Sequence, residues 1–103
     1  MNEIHWPGGD CRAVLATDLP IEELEKRCPL KLFRAQDDLD WFTGAVVENA
    51  LLQPLLMMRH DGNPKGLTAF YVDIGQRATD AQEVISKIFT FQGDEIAWKL
   101  SPE

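Results

Sequence analysis

The chain has 103 residues, enough for a single domain over 1–103. With 45% apolar residues, seven glycines and six prolines, its composition is that of an ordinary globular protein able to bury a core without a metal or disulfide staple. Seventeen acidic residues against ten basic ones give a net charge of −7, which repels phosphate backbones and argues against a nucleic-acid partner; no apolar run approaches the ~18 residues of a membrane span.

Residues 1–10 hold Pro7-Gly8-Gly9 and read as a loose N-terminal lead-in, with Trp6 large enough to pack on a neighbour. This opening lacks both a basic start and an apolar core, so no signal peptide is expected and the expected location is cytoplasmic. In that setting Cys11 and Cys28 are expected as reduced, small apolar fillers rather than a bridge.

Residues 11–16 are short and apolar and suit a first strand. Asp18 and Pro20 then open a helix, the carboxylate as cap and the proline in a first turn that needs no donor from it. Ile21, Leu24 and Cys28 form one apolar face. Glu22, Glu23 and Glu25 precede Lys26 and Arg27, which complements the helix dipole, and Pro29 ends the helix. The glutamates read as a solvated face.

Leu30 to Arg34 alternates weakly, as a strand. Residues 37–52 admit two readings. Asp37 as a cap with Leu39, Phe42 and Val46 supports one long helix. Trp41, Phe42, Thr43 and two valines favour extended structure, and Gly44 weakens a helix. The expectation adopted is a helical turn at 37–41 followed by a strand over 42–48.

Leu55 to Arg59 and Leu67 to Ile74 flank the turn-forming segment His60 to Gly66, where Asp61-Gly62 and Asn63-Pro64 favour reversal of the chain; they read as an antiparallel hairpin. Leu67, Ala69 and Tyr71 face one side of the second strand and Phe70, Val72 and Ile74 the other, as in a strand central in its sheet or covered by a partner. Thr79 with Gln82 matches a capping box, and Ala81, Val84, Ile85, Ile88 and Phe89 make the core stripe of a second helix. Gly93 closes that helix, and Glu95 to Leu100 alternates as a last strand with Ile96, Trp98 and Leu100 on its dry face. The order β-α-β-β-β-β-α-β predicts an α+β two-layer sandwich: an antiparallel sheet of five or six strands with two helices on one face.

Chemistry-bearing groups are sparse. Ser86 lies inside the second helix and Ser101 near the end of the chain, so neither resembles an activated nucleophile. Cys28 sits at the electronegative end of the first helix, where a thiol is harder to ionise. His5, Asp10, Cys11, Cys28, His60 and Asp61 lack metal-ligand spacing, and His60-Asp61 opens a turn rather than a helix. Asp37, Asp38 and Asp40 beside Trp41 lack the alternation of a calcium loop. No catalytic residue, metal or cofactor is expected; an enzyme would have to use His60 with Asp61 or Asp73 as acid and base.

The expected role is therefore a small, acidic, non-enzymatic binding protein, an inhibitor or immunity-type partner of a basic protein. A homodimer through the uncovered sheet face is expected with it. The alternative is a small-molecule site between sheet and helices, with Trp41 or Tyr71 in its wall and Arg59 or His60 at its mouth. Trp41, Met57, Arg59, His60 and Tyr71 are the candidate ligand or interface residues.

Overall fold

The computed structural model describes residues 10–36, 41–47, 51, 55–62 and 66–101. Six strands make one antiparallel sheet: β1 (Cys11–Thr17), β2 (Leu32–Gln36), β3 (Trp41–Val46), β4 (Leu55–His60), β5 (Thr68–Asp73) and β6 (Ile96–Lys99). Helix α1 (Ile21–Arg27) joins β1 to β2, and α2 (Ala78–Phe89) leads from β5 through a 3-10 turn at Gly93–Glu95 into β6. This is the α+β sandwich, in the element order, that the sequence predicts.

The spatial order is β2-β3-β4-β5-β1-β6. Four consecutive strands form a meander, and β1, the earliest of the described strands in the chain, sits between β5 and β6. The α1 crossover passes three strands and the α2 crossover passes one. Right-handed crossovers place both helices on the same face, and α1 does contact α2. Neither helix is long and apolar enough to cross a membrane.

Strand register assigns the faces. Leu15 lies opposite Phe70, Met57 opposite Phe70, and Ala45 opposite Met57, so these side chains point together toward the helices. There they meet Ile21 and Leu24 of α1 and Ala78, Ala81, Ile85 and Phe89 of α2. Phe70, Phe89 and Phe91 pack as an aromatic trio with centroids 5.2–5.9 Å apart. Each fully buried Leu, Ile, Met or Phe contributes about 1.5–3 kcal/mol of transfer free energy, which makes this layer the main source of stability.

Several local expectations are corrected. Asp18 does not cap α1: Pro20 occupies the cap with no side-chain bond, and its carbonyl takes the Glu23 and Leu24 amides. The buried Thr17 hydroxyl organises that entry instead, accepting from the Leu19 amide and donating to the Glu95 carbonyl. Strand β2 starts two residues late, at Leu32, where its pairing with β3 begins opposite Ala45, and Leu30 packs against the core. Trp41 is the first residue of β3, paired with Gln36, so the helical turn does not reach it; residues 37–40 and 48–50 lie outside the described ones. His60 belongs to β4, paired with Phe42. Ile74 is 59% exposed, because it sits in the turn after β5 with its amide on the Asp10 carbonyl.

The capping box at Thr79 and Gln82 does not form; α2 begins one residue earlier with no side-chain cap. Gln82 is buried, and its Nε2 donates to the carbonyls of Val14 (2.9 Å) and Leu100 (2.8 Å), stitching β1 to the residue after β6. A capping box occurs instead at Gln92 and Glu95 of the 3-10 turn. Helix α2 ends at Thr90, in the left-handed region (φ 48°), rather than at Gly93. Trp98 is 42% exposed on the edge strand, opposite Ala16, so only Ile96 and Leu100 of the expected dry face pack on the core.

Gly44 has a reason to be glycine. It pairs with Phe33, whose ring lies across it, and a Cβ would fall 2.8 Å from that ring and 3.0 Å from the Met57 carbonyl. At the other end of the roof, Arg27 of α1 makes a two-pronged ion pair with Glu95 at 2.7 and 2.8 Å, tying the first helix to the last turn.

Candidate functional site

Helix α1 has only seven residues and cannot cover the β2–β3–β4 end of the sheet. Beyond it a cleft of about 560 Å³ opens on the helix side. Ile21, Glu22 and Glu25 form its helical wall, Leu32, Arg34 and Thr43 its sheet floor, and Arg59, Asp61 and Gly66 its hairpin side. Register explains the convergence: Arg34 pairs with Thr43 and Thr43 with Arg59, so all three side chains stand on one face. The volume falls in the range typical of small-molecule sites.

Two arginines are held in different ways. Arg34 makes a fork to Asp61, with Nη1 and Nη2 donating at 2.7 and 2.6 Å, while Nη1 also donates to Thr43 Oγ1 at 2.9 Å. Its guanidinium lies 6.0 Å over the Trp41 ring. Those hydrogen bonds, helped by the Arg34 charge and by His60, hold the Asp61 carboxyl below its ordinary range. Arg59 is half-buried and anchored by neutral oxygens. Its Nη1 donates to the Leu19 carbonyl (3.2 Å) and to the hydroxyl of the buried Thr68 (2.9 Å), which itself donates to the Leu19 carbonyl. Among the described residues no carboxylate pairs with Arg59.

Gly66 completes this side. Its φ is +63°, and a Cβ there would lie 2.6 Å from Arg59 Nη2. The guanidinium uses the space that a side chain would take. On the opposite wall, Glu22 and Glu25 are exposed and pair with no cation among the described residues; Lys26 and Arg27 engage Glu23 and Glu95 instead.

Of the residues singled out in the sequence, Arg59 lines the cleft and His60 borders it. The His60 ring is turned to the other sheet face, 5.5 Å from Phe42. Trp41 is 47% exposed and joins the site through Arg34. Met57 is fully buried between Ala45 and Phe70, so it is a core residue and not part of a surface. Tyr71 is half-buried on the sheet face away from the helices, opposite Leu56. Glu22, Glu25, Arg34 and Thr43 were missed as site residues. The even spacing of 32, 34 and 43, 45 along alternating strands was the available signal, but only the register makes it readable.

Other reactive groups lie apart. Asp73 is at the end of β5 away from His60 and accepts the Gly75 amide through Oδ1. Burial pushes both thiols up, with Asp10 and Asp73 adding to the effect at Cys11. Among the described residues no group of three or more His, Cys, Asp and Glu side chains gathers at a metal-sized site. The second sheet face carries Phe33, Phe42, Leu56, Met58 and Tyr71, contiguous across four strands by register. No protein-family model, curated protein or solved structure matches this chain.

Proposed function

We propose that the chain is a non-enzymatic binding protein whose recognition site is the cleft beside α1. The observation that carries this reading is Arg59, a half-buried cation oriented by neutral acceptors and lacking a carboxylate partner among the described residues. A guanidinium held so has donors in reserve for an incoming acceptor, and orienting them beforehand lowers the entropy cost of binding. The wide separation of His60 from Asp73 and the engagement of Asp61 by Arg34 weigh against an acid–base pair at this surface. A thermal-shift screen of small metabolites tests the reading. A ligand at one hundred times its Kd adds about 2.7 kcal/mol, equivalent to roughly 10 °C for a chain of this size. The shift is expected to disappear in Arg59→Gln. Absence of any Arg59-dependent shift across the screen would reject the site.

A second reading is favoured by the other sheet face. Its half-buried Phe33, Met58 and Tyr71, beside the buried Phe42 and Leu56, support association with a second copy of the chain, and the charge of −7 supports a basic protein partner for an inhibitor-type role. Sedimentation of the wild type against Met58→Glu tests the homodimer: a monomer at every concentration rejects it. Salt-insensitive capture of only neutral or acidic partners rejects the basic one.

A further inference from the structure

We infer that the cleft takes a small zwitterion whose opposite charges stand at separate ends, the chemistry of a short peptide with free termini. This inference rests on the reading of the cleft as a binding site and names its ligand class. The charges around the opening do not balance locally. Arg34 is neutralised by Asp61, Arg27 by Glu95, and Lys26 sits on Glu23. What remains among the described residues is one cation, Arg59, on the hairpin side and two carboxylates, Glu22 and Glu25, on the helical wall.

A plain anion directed to Arg59 would meet both glutamates across the same opening. A plain cation drawn to the glutamates would meet Arg59 and leave that guanidinium unmatched. A molecule with a carboxylate at one end and an ammonium at the other satisfies both walls. The carboxylate suits the planar donors of Arg59, and the ammonium, with three donors, suits a pair of carboxylates. Leu32 on the floor between the walls, 41% exposed, offers apolar contact to a peptide side chain. A volume of about 560 Å³ accommodates two or three residues and excludes a folded partner.

The test is calorimetric titration of the full chain with the tripeptide leucyl-glycyl-leucine and with its N-acetyl and C-terminal amide forms. The free tripeptide is expected to bind, and each blocked form to bind at least about tenfold more weakly. The variants separate the two ends. Glu22→Gln with Glu25→Gln is expected to abolish the discrimination against the N-acetyl form, and Arg59→Gln the discrimination against the amide. Glu83→Gln, an exposed charge removed from α2, is expected to leave both intact. Because the two glutamates are exposed, their variant keeps the test decisive even if Arg59→Gln destabilises the hairpin. Equal binding of free and blocked peptides overturns the inference, as does no binding of the free peptide at millimolar concentration. If the peptide fails while another small molecule gives an Arg59-dependent thermal shift, the ligand class is wrong and the site stands. If nothing gives such a shift, both fall.

Discussion

Replacing Gln82 by leucine is expected to destabilise the fold far more than an ordinary change on a helix. Its amide is 7% exposed and donates both hydrogens, to the Val14 carbonyl at 2.9 Å and the Leu100 carbonyl at 2.8 Å. Val14 lies at the irregularity of β1, where the register with β5 slips by one residue, and its carbonyl also takes the Leu100 amide at 3.0 Å. Leucine preserves most of the volume and removes both donors. Val14 keeps one partner, so its loss is the net worth of a hydrogen bond, about 1 kcal/mol. The Leu100 carbonyl is left half-buried with its acceptor capacity unmet, about 1–2 kcal/mol more. The expected cost is about 2–3 kcal/mol, or a fall in Tm of roughly 10 °C. Urea unfolding at neutral pH, with the midpoint and slope compared to wild type, measures it. Gln82→Glu supplies the sign. Its carboxyl, ionised and buried against two carbonyls, has a folded-state pKa raised above the unfolded value. Protonation restores stability below the unfolded pKa, and the benefit is lost as pH rises through the folded one. A Gln82→Leu protein within about 0.5 kcal/mol of wild type would refute the assignment of this side chain as the clasp between β1 and the end of β6.

Gly44→Val is expected to cost about 1–3 kcal/mol by overpacking, since the new side chain meets the Phe33 ring and the Met57 carbonyl; thermal unfolding reads it, and an unchanged Tm contradicts the packing described. Phe89→Ala, which empties the centre of the aromatic trio, is expected to cost about 3–5 kcal/mol by chemical denaturation. Acid should loosen the attachment of α1. The Arg27 hydrogen bonds, with help from the Gln92 amide, hold Glu95 at about 2, so their contribution is complete above the unfolded carboxylate range and is lost as pH falls toward 2. Arg27→Gln should flatten that part of the stability–pH profile, and an unaltered profile denies the link. Gly66→Ala should strain a left-handed backbone and push on Arg59, lowering ligand affinity at the cleft more than it lowers Tm.

The layer architecture was legible because its signals are periodic. Ala81, Ile85 and Phe89 recur at four-residue spacing and Phe70 alternates with Tyr71, so the buried side of each element follows from the sequence alone. Capping was not legible, because Thr79 and Gln82 satisfy the local pattern while Gln82 is drawn to carbonyls 18 and 68 residues distant. At Trp41 only the boundary misled: the aspartates suggest a helical turn that reaches 41, but Trp41 already pairs with Gln36, while the strand expected from 42 forms with a partner strand on each side. Met57 reads as an adaptable surface residue only until its parity with Ala45 and Phe70 is known. The cleft was half visible. Arg59 and His60 mark the hairpin end, whereas the meeting of Glu22 and Glu25 with them depends on where a seven-residue helix stops, which no local motif encodes.

The position of β1 carries a kinetic consequence. It precedes the other described strands in the chain, yet its nearest ladder partner begins at Thr68 and its other neighbour at Ile96. During synthesis it must wait for both of those partners. Its insertion between two strands made later closes the longest loops in the molecule, which marks that event as the slow one. The vulnerable interval is therefore the one before β5 and β6 are made, when the segment Ala13-Val14-Leu15-Ala16 lacks both of its ladder partners.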